Sequence, residues 1–207
     1  MIRGTLTLLA TMAGCLAAAS TAPAQMADFG SKIAAMNTAG YARPPIGHIS
    51  FCRRNPEECV RHGDKAIVTL DSENWRELVK VNYAINTAVA PVTDLDYYKT
   101  EEYWTLPDGY GDCEDYVLLK RRELIERGWP SGALLITVVF DENNDGHAIL
   151  IVRTDRGEFV LDNKTAEIKI WYDTPYRFVK RQSEVDPRQW VSINDRRRME
   201  EDVASIR

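Results

Sequence analysis

The sequence is poor in the side chains that most often carry acid–base and redox chemistry. Its 207 residues include three histidines and four cysteines, and no two cysteines have the C-x-x-C spacing of a thiol–disulfide oxidoreductase. No internal repeat is present, no basic stripe occurs before the C-terminal tail, and the net charge is −5. The run of arginines at 196–198 is followed by Glu200, Glu201 and Asp202, so it is interpreted as a solvated helix face, and nucleic-acid binding is not expected. The content of 44% hydrophobic and 28% charged residues is typical of one globular domain.

The one marked apolar run lies at the N-terminus. Arg3 precedes an apolar stretch over residues 6–19, and a small-x-small site ends at Ala24, so residues 1–24 are predicted to be a signal peptide. The run is too short for a stable membrane span. An alternative is a lipoprotein-type cleavage before Cys15. Either way, we expect a periplasmic or secreted protein that starts at Gln25 or Cys15 and has no transmembrane span in its mature form.

Export changes how the remaining cysteines are interpreted. In an oxidising compartment, Cys52 and Cys59 can close a small disulfide loop, which leaves Cys113 as a single thiol. A zinc site made by Cys52 and Cys59 with His48 and His62 is the alternative, although the C-x₆-C spacing is not that of a usual zinc pair. A single thiol in an exported protein is either an intermolecular partner or a reactive group.

The pattern of apolar residues predicts helices first and strands afterwards, which favours an α+β domain. Residues 25–70 are predicted to be a lead-in with the disulfide loop, poorly ordered over 25–47, and residues 71–207 the domain. A helix is expected from Asp71 to Ala90, followed by an aromatic loop over 92–112. The predicted strands are Ala133–Phe140, His147–Thr154, Glu158–Asp162, Glu167–Trp171 and Tyr176–Gln182.

Cys113 stands among three carboxylates at the predicted start of a second helix. Apolar residues recur at helical spacing after it, and Gly128 and Pro130 end the pattern. The free N–H groups and dipole of a helix N-terminus favour a thiolate, so Cys113 is a candidate nucleophile. The alternative is a small buried hydrophobic residue.

The strands supply the partners that such a nucleophile needs. His147, the only histidine after Cys113, opens one predicted strand, and Asp162 ends the next. Because these strands form an antiparallel pair, the two side chains are expected to be neighbours. An imidazole that accepts the thiol proton and a carboxylate that orients it would complete a Cys-His-Asp triad. Taken singly, His147 could be a strand-edge residue and Asp162 a turn residue.

Three segments together resemble the bacterial transglutaminase-like cysteine proteinases: Gly-Asp-Cys-Glu-Asp-Tyr at 111–116, Asp-Gly-His-Ala at 145–148 and Gly-Glu-Phe-Val-Leu-Asp-Asn at 157–163. The resemblance implies a papain-like or transglutaminase-like fold with the nucleophile helix packed on an antiparallel β-sheet. It also implies Cys113 as nucleophile, His147 as base and Asp162 as the orienting carboxylate.

The resemblance further implies calcium, because adhesin-releasing members of the family bind it with carboxylates beside the nucleophile. Carried over, these are Asp112, Glu114 and Asp115, and hard oxygen donors suit Ca²⁺. Helix capping is the alternative role for the same carboxylates. The aromatic loop at 103–107 and the disulfide segment at 48–70 depart from the family pattern.

The expected function is therefore that of an exported cysteine peptidase, which hydrolyses a peptide bond in a periplasmic or cell-surface protein through an acyl-enzyme. The resemblance implies a surface adhesin as a possible substrate and an inner-membrane receptor as a possible regulator. Transglutaminase or amidase-type acyl transfer and cell-wall peptide hydrolysis are alternative activities. A non-catalytic binding module of the same fold is an alternative from a different class.

Overall fold

A seven-stranded sheet forms the centre of the computed structural model, which describes residues 35–61 and 66–195. These residues belong to one compact unit. The predicted signal peptide, Cys15 and His62 lie outside the described residues. The strands of the sheet are β1 (Thr38–Ala42), β4 (Leu134–Phe140), β5 (Gly146–Thr154), β6 (Gly157–Leu161), β7 (Lys169–Ile170), β8 (Arg177–Gln182) and β9 (Trp190–Ile193). Their spatial order is β1-β9-β8-β4-β5-β6-β7.

Helices precede the central strands in the chain. They are α1 (Ile46–Arg54), α2 (Ser72–Ala88), α3 (Asp94–Tyr98) and α4 (Cys113–Glu126), with short 3₁₀ helices at Pro56–Cys59, Ser131–Ala133 and Trp171–Asp173. The Asp71 side chain accepts hydrogen bonds from the backbone N–H groups of Glu73 and Asn74, which fixes the start of α2 as predicted. α2 packs on α4, and α4 packs on β5. The predicted α+β class is confirmed.

The central strands lie where the alternating apolar pattern predicted them. All neighbouring strands of the sheet are antiparallel. Leu150 of β5 stands opposite Leu161 of β6, so the start of β5 lies beside the segment that follows β6. Every residue of β5 from His147 onward is buried, because the strand is central in the sheet and α4 covers it.

The lead-in is more ordered than the sequence suggested. Residues 38–42, predicted to be poorly ordered, form β1 and pair with β9, and α1 begins at Ile46. The structured part therefore begins before residue 71, where the domain boundary was placed. Neither β1 nor β9 was predicted, because β1 is a largely exposed edge strand and β9 has only four residues.

A short parallel ladder closes the aromatic loop. Its two strands, β2 (Ala90–Pro91) and β3 (Tyr110–Gly111), pair directly and join the end of α2 to the start of α4. The loop between them, residues 92–109, includes the unpredicted helix α3. It is thereby held beside the first turn of α4.

The buried face of α4 carries four charged side chains: Glu114, Asp115, Lys120 and Arg121. Charged residues are seldom buried unless they have a partner or a function. The contacts of these side chains are therefore informative about the site. None of the helices in the described residues is both long and apolar enough to cross a membrane.

Candidate active site

Three elements bring the predicted nucleophile, base and orienting carboxylate together. Cys113 is the first residue of α4, His147 is the second residue of β5, and Asp162 directly follows β6. Cys113 and His147 line the same cavity of about 300 Å³. The remaining residues of its wall are Pro45, Glu102, Trp104, Glu114, Val138, Gly146, Ala148 and Lys180.

His147 and Asp162 form a buried hydrogen-bonded pair. His147 Nε2 lies 2.9 Å from Asp162 Oδ1, and both residues are at most 5% exposed. The Tyr176 hydroxyl donates to Asp162 Oδ2, and the backbone N–H of Lys164 donates to Asp162 Oδ1 at 3.0 Å. The ionised carboxylate accepts a hydrogen bond from the Nε2–H of His147. This leaves Nδ1 of the imidazole free to bond a second partner.

These contacts keep Asp162 ionised. Burial opposes the charge, but the hydrogen bond and charge of His147, with the Tyr176 hydroxyl, hold the pKa of Asp162 below its ordinary value. Because the carboxylate is an acceptor only, it fixes the tautomer of the imidazole. This is the orienting role that a triad carboxylate has.

The Cys113 thiol is not the low-pKa group that its place at a helix start predicted. Burial first, and then the charge and hydrogen bond of Glu114, raise the pKa of Cys113 well above its ordinary value. Cys113 Sγ donates to Glu114 Oε2 at 3.1 Å, and the backbone N–H of Ala148 bonds to the sulfur. Desolvation and a neighbouring carboxylate therefore outweigh the helix terminus in this structure.

The carboxylates around Cys113 divide into two groups. Asp112 and Asp115 place carboxylate oxygens within 4.8 Å of each other and of Asp94, and Asp112 also lies within that distance of a Glu114 oxygen and of Cys113 Sγ, which donates to Glu114. We call Asp94, Asp112 and Asp115 the carboxylate trio. Of the three predicted metal ligands, two are in the trio and Glu114 is not.

The trio carries unpartnered oxygens. Asp112 Oδ1 and Asp115 Oδ2 are buried and have no hydrogen-bond partner among the described residues. Asp112 makes no side-chain cap for α4, which argues against the capping alternative. Burial and the charge of Asp112 raise the pKa of Asp115 to about 7, although the hydrogen bond from the Thr105 N–H lowers it. Buried anionic oxygens without donors are a donor set that fits Ca²⁺.

Comparison of the sequence with protein families identifies the family to which the chain belongs. A family model described as bacterial transglutaminase-like cysteine proteinase, BTLCP, matches residues 38–198. The chain belongs to this family. The fold and the family that the sequence predicted are therefore confirmed.

Solved structures of Legionella pneumophila LapG resemble this member of the transglutaminase-like proteinases. One of them is 25% identical in sequence, and the match, with a TM-score of 0.50, covers 63% of this chain and 75% of the LapG chain. The calcium-bound form is 28% identical over 52% of this chain, with a TM-score of 0.46. The EGTA-treated form is 25% identical over 59% of this chain and 68% of its own, with a TM-score of 0.49. The match spans 64% of the calcium-bound LapG chain. No match was found among curated proteins.

Two residues of this proteinase site were missed in the sequence. Asp94 lies 18 positions before Asp112, and Tyr176 lies 14 positions after Asp162, so no local spacing connects them to the site. The aromatic loop was the available signal, because a long ordered loop of this composition usually covers or lines a site. Asp94 and Tyr103, which donates its backbone N–H to Asp94, both lie in that loop.

The disulfide segment supports the same loop. Cys52 and Cys59 are bonded, which confirms the predicted disulfide and leaves neither sulfur for the zinc alternative. Arg54, on α1, donates to the carbonyl of Trp104 at 2.6 Å and stacks over the Tyr103 ring at 4.4 Å. The lead-in therefore contributes to the site although it lies outside the predicted domain.

Gly111 allows the loop and α4 to approach closely. A Cβ at this position would lie 2.7 Å from both Cβ and Oδ2 of Asp115. Any larger residue would displace Asp115 from the trio. The glycine of the Gly-Asp-Cys motif is therefore explained by packing at the carboxylate trio.

Proposed function

We propose that the chain is an exported cysteine peptidase that hydrolyses a peptide bond with Cys113, His147 and Asp162. The observation that carries this proposal is the buried His147–Asp162 pair at 2.9 Å, which shares a cavity with the only free thiol of the described residues. A buried imidazole oriented by an ionised carboxylate beside a cysteine is the arrangement that nucleophilic catalysis needs.

The residues divide the reaction as follows. His147 Nδ1 accepts the Cys113 proton as the sulfur attacks the peptide carbonyl, and Asp162 stabilises the imidazolium that forms. The imidazolium then protonates the leaving amine, which departs and leaves an acyl-enzyme. Water, deprotonated by His147, attacks the thioester carbonyl, and Cys113 leaves as the thiolate that the imidazolium reprotonates. The Cys113 backbone N–H, at a helix start, is a donor for the carbonyl oxygen.

We also propose that the carboxylate trio binds Ca²⁺. Asp94, Asp112 and Asp115 would hold the ion, and its charge would compensate the mutual repulsion of the three carboxylates, of which Asp94 and Asp115 are buried. The support is the pair of unpartnered oxygens on Asp112 and Asp115, together with the family resemblance. Glu114 contacts the thiol and also places a carboxylate oxygen within 4.8 Å of one of Asp112, so it borders the proposed site. Ca²⁺ would order the loop that carries Asp94 against the first turn of α4.

Calcium titration calorimetry tests this second proposal. Asp94→Asn removes one charge of the trio and is expected to weaken Ca²⁺ binding at least about tenfold. Asp108→Asn, at an exposed position of the same loop, is the matched control and should bind as the wild type does. Equal affinities for Asp94→Asn and the wild type would contradict the trio as the site.

The substrate and the compartment belong to the same proposal. The signal-like segment at 1–24 and the disulfide support a periplasmic or cell-surface protein as substrate. A surface adhesin as substrate and an inner-membrane receptor as regulator are suggested by the family resemblance. Glu102 and Lys180 both line the cavity beside Cys113, so a negative and a positive charge are available to a bound peptide.

A comparison of cleavage products tests the activity. Proteins extracted from bacterial cell envelopes are incubated with the wild type and with Cys113→Ala in the presence of calcium, and new N-termini are identified by mass spectrometry. The proposal predicts new termini with the wild type alone. Incorporation of a labelled amine without new termini would show acyl transfer instead. Binding without either product would show a binding module, and both results would overturn the proposal.

A further inference from the structure

A second cavity, of about 560 Å³, has a positively charged wall. Arg43, Arg53 and Arg188 line it, and none of the described residues that line it is acidic. The side chains of all three arginines are exposed. We call this cavity with its three arginines the basic pocket. Because the whole chain has a net charge of −5, the basic pocket is a local reversal of the charge of the protein.

Three elements of the fold bring these arginines together. Arg43 directly follows β1, and Arg188 lies two residues before β9. Since the end of β1 pairs with the start of β9, the antiparallel register places both arginines at the same end of this strand pair. Arg53 lies in the last turn of α1, where the bond between Cys52 and Cys59 cross-links the chain. The backbone around the basic pocket is therefore fixed by pairing and by a covalent bond.

Two of the three guanidinium groups lack a partner. The side chains of Arg43 and Arg53 make no hydrogen bond, ion pair or ring contact with other described residues. Arg188 donates from Nε and Nη2 to the Asp186 carboxylate, both at 3.1 Å, which orients its guanidinium and leaves other N–H groups available. Cations that line one cavity repel one another unless an anion is bound. Guanidinium groups bind carboxylates with paired hydrogen bonds, so carboxylates are suitable ligands here.

The basic pocket adjoins the active-site cavity. Pro45 lines the cavity that contains Cys113, whereas Arg43 and Pro44 line the basic pocket. The Lys180 ammonium, in the wall of the active-site cavity, donates to the Arg43 carbonyl at 2.8 Å. Three consecutive Cα atoms span at most about 8 Å. A polypeptide whose scissile bond lies at Cys113 can therefore reach the basic pocket within a few residues of that bond.

We propose that the basic pocket binds an acidic segment of the polypeptide substrate, a few residues away from the peptide bond that is cleaved. The inference rests on the proposed function and adds a substrate class to it. Because the three guanidinium groups come from separate elements, carboxylates spaced along a chain match them better than one small ion does. The negative net charge of the protein disfavours an acidic segment elsewhere, so the basic pocket also orients the substrate.

Fluorescence anisotropy with a labelled hexaglutamate peptide tests the binding, without calcium, which the peptide would also bind. The double variant Arg43→Gln, Arg53→Gln removes the two unpartnered charges and is expected to weaken binding about tenfold. The double variant Arg76→Gln, Lys80→Gln is the matched control, because it removes two charges from exposed positions of α2, and it should bind as the wild type does. Added salt should weaken the binding to the wild type.

Two results of this titration would overturn the proposal. One is an equal affinity of the two double variants for hexaglutamate, which would show attraction by the overall charge and no specific site. The other is a wild type that binds inorganic phosphate but not hexaglutamate, which would make the basic pocket a site for small anions. Hexaglutamate binding needs no catalysis, so Cys113→Ala should retain it, and the titration is independent of the proposed function.

The cleavage-product experiment links the basic pocket to the substrate. The new N-termini that the wild type forms should have acidic residues within about six residues of the cleaved bond, and Arg43→Gln, Arg53→Gln should form them more slowly than the control double variant. Cleavage sites without acidic neighbours, formed equally by both variants, would overturn the role of the basic pocket and leave the peptidase assignment intact. A wild type that forms no new termini would overturn the proposed function itself.

Discussion

Asp162 is the residue whose environment says most about the proposed chemistry. It is buried, it is held as an anion, and all its side-chain contacts in the described residues are donors. An amide at this position would keep an acceptor oxygen for the Nε2–H of His147 but would lose the negative charge that stabilises the imidazolium. The proposed chemistry therefore depends on the charge of the carboxylate at position 162.

Replacement of that carboxylate is the first test at the residue scale. Asp162→Asn keeps the size of the side chain and is expected to lower the peptidase rate about a thousandfold. Asp145→Asn removes an equal charge from the exposed turn before β5 and should keep the wild-type rate. Thermal unfolding of both variants controls for loss of fold, and a well-folded Asp162→Asn enzyme of normal activity would contradict the assignment.

His48 gives a prediction of pH-dependent stability. It is 1% exposed, packs edge-on against Trp104 and Trp190, and accepts from the Gln182 amide at 3.1 Å. Burial, and then the charge of Arg121, lower the pKa of His48 to about 4. The imidazole therefore stays neutral in the fold while the unfolded chain binds a proton below pH 6.5.

Because the unfolded chain binds this proton more readily than the folded protein, acid lowers the free energy of unfolding. The His48 contribution to stability is complete above pH 6.5 and is lost as the pH falls toward 4, by about 3 kcal/mol. Urea unfolding of the wild type and of His48→Gln across this range measures it. Buried carboxylates such as Asp115 act in the opposite direction in both proteins, so the difference between the two curves isolates His48. Parallel curves would show that His48 has no such effect.

At the scale of elements, the disulfide links α1 to the 3₁₀ helix at 56–59 and so supports the loop at the site. The closed loop is short, with a sequence separation of 7, and its closure is expected to stabilise the fold by about 2.5 kcal/mol. Unfolding of the double variant Cys52→Ala, Cys59→Ala should show this loss. A reducing agent should then destabilise the wild type and leave the variant unchanged; equal stability without the bond would contradict the estimate.

The elements also show what could be predicted from sequence. The meander β4–β6 and the meeting of His147 with Asp162 follow from alternation and a tight turn, which are local properties. Asp94 opens the short helix α3, and Tyr176 directly precedes β8 at the start of a predicted strand, but no local pattern linked either residue to the site. The raised pKa of Cys113 depends on burial by distant segments. The helix N-terminus considered alone predicts a lowered pKa, which is the opposite direction.

At the scale of the whole molecule, the proposed export would account for the disulfide and for a free thiol that has a catalytic role. Residues 1–24 lie outside the described structure, so the predicted cleavage after Ala24 stays a prediction. Mass spectrometry of the protein recovered from the periplasm of an expressing bacterium should find a chain that begins at Gln25. Lipid attached to Cys15, or an uncleaved N-terminus in the cytoplasm, would contradict it.

In the proposed mechanism His147 activates Cys113, and the alkylation rate of Cys113 measures this activation. The full-length wild type and His147→Ala are treated with iodoacetamide at neutral pH with calcium, and the label on the Cys113 peptide is quantified by mass spectrometry, which separates it from Cys15. The account predicts that His147→Ala slows this reaction at least about tenfold. Equal rates in the two folded proteins would show that His147 does not activate Cys113 and would contradict the peptidase assignment.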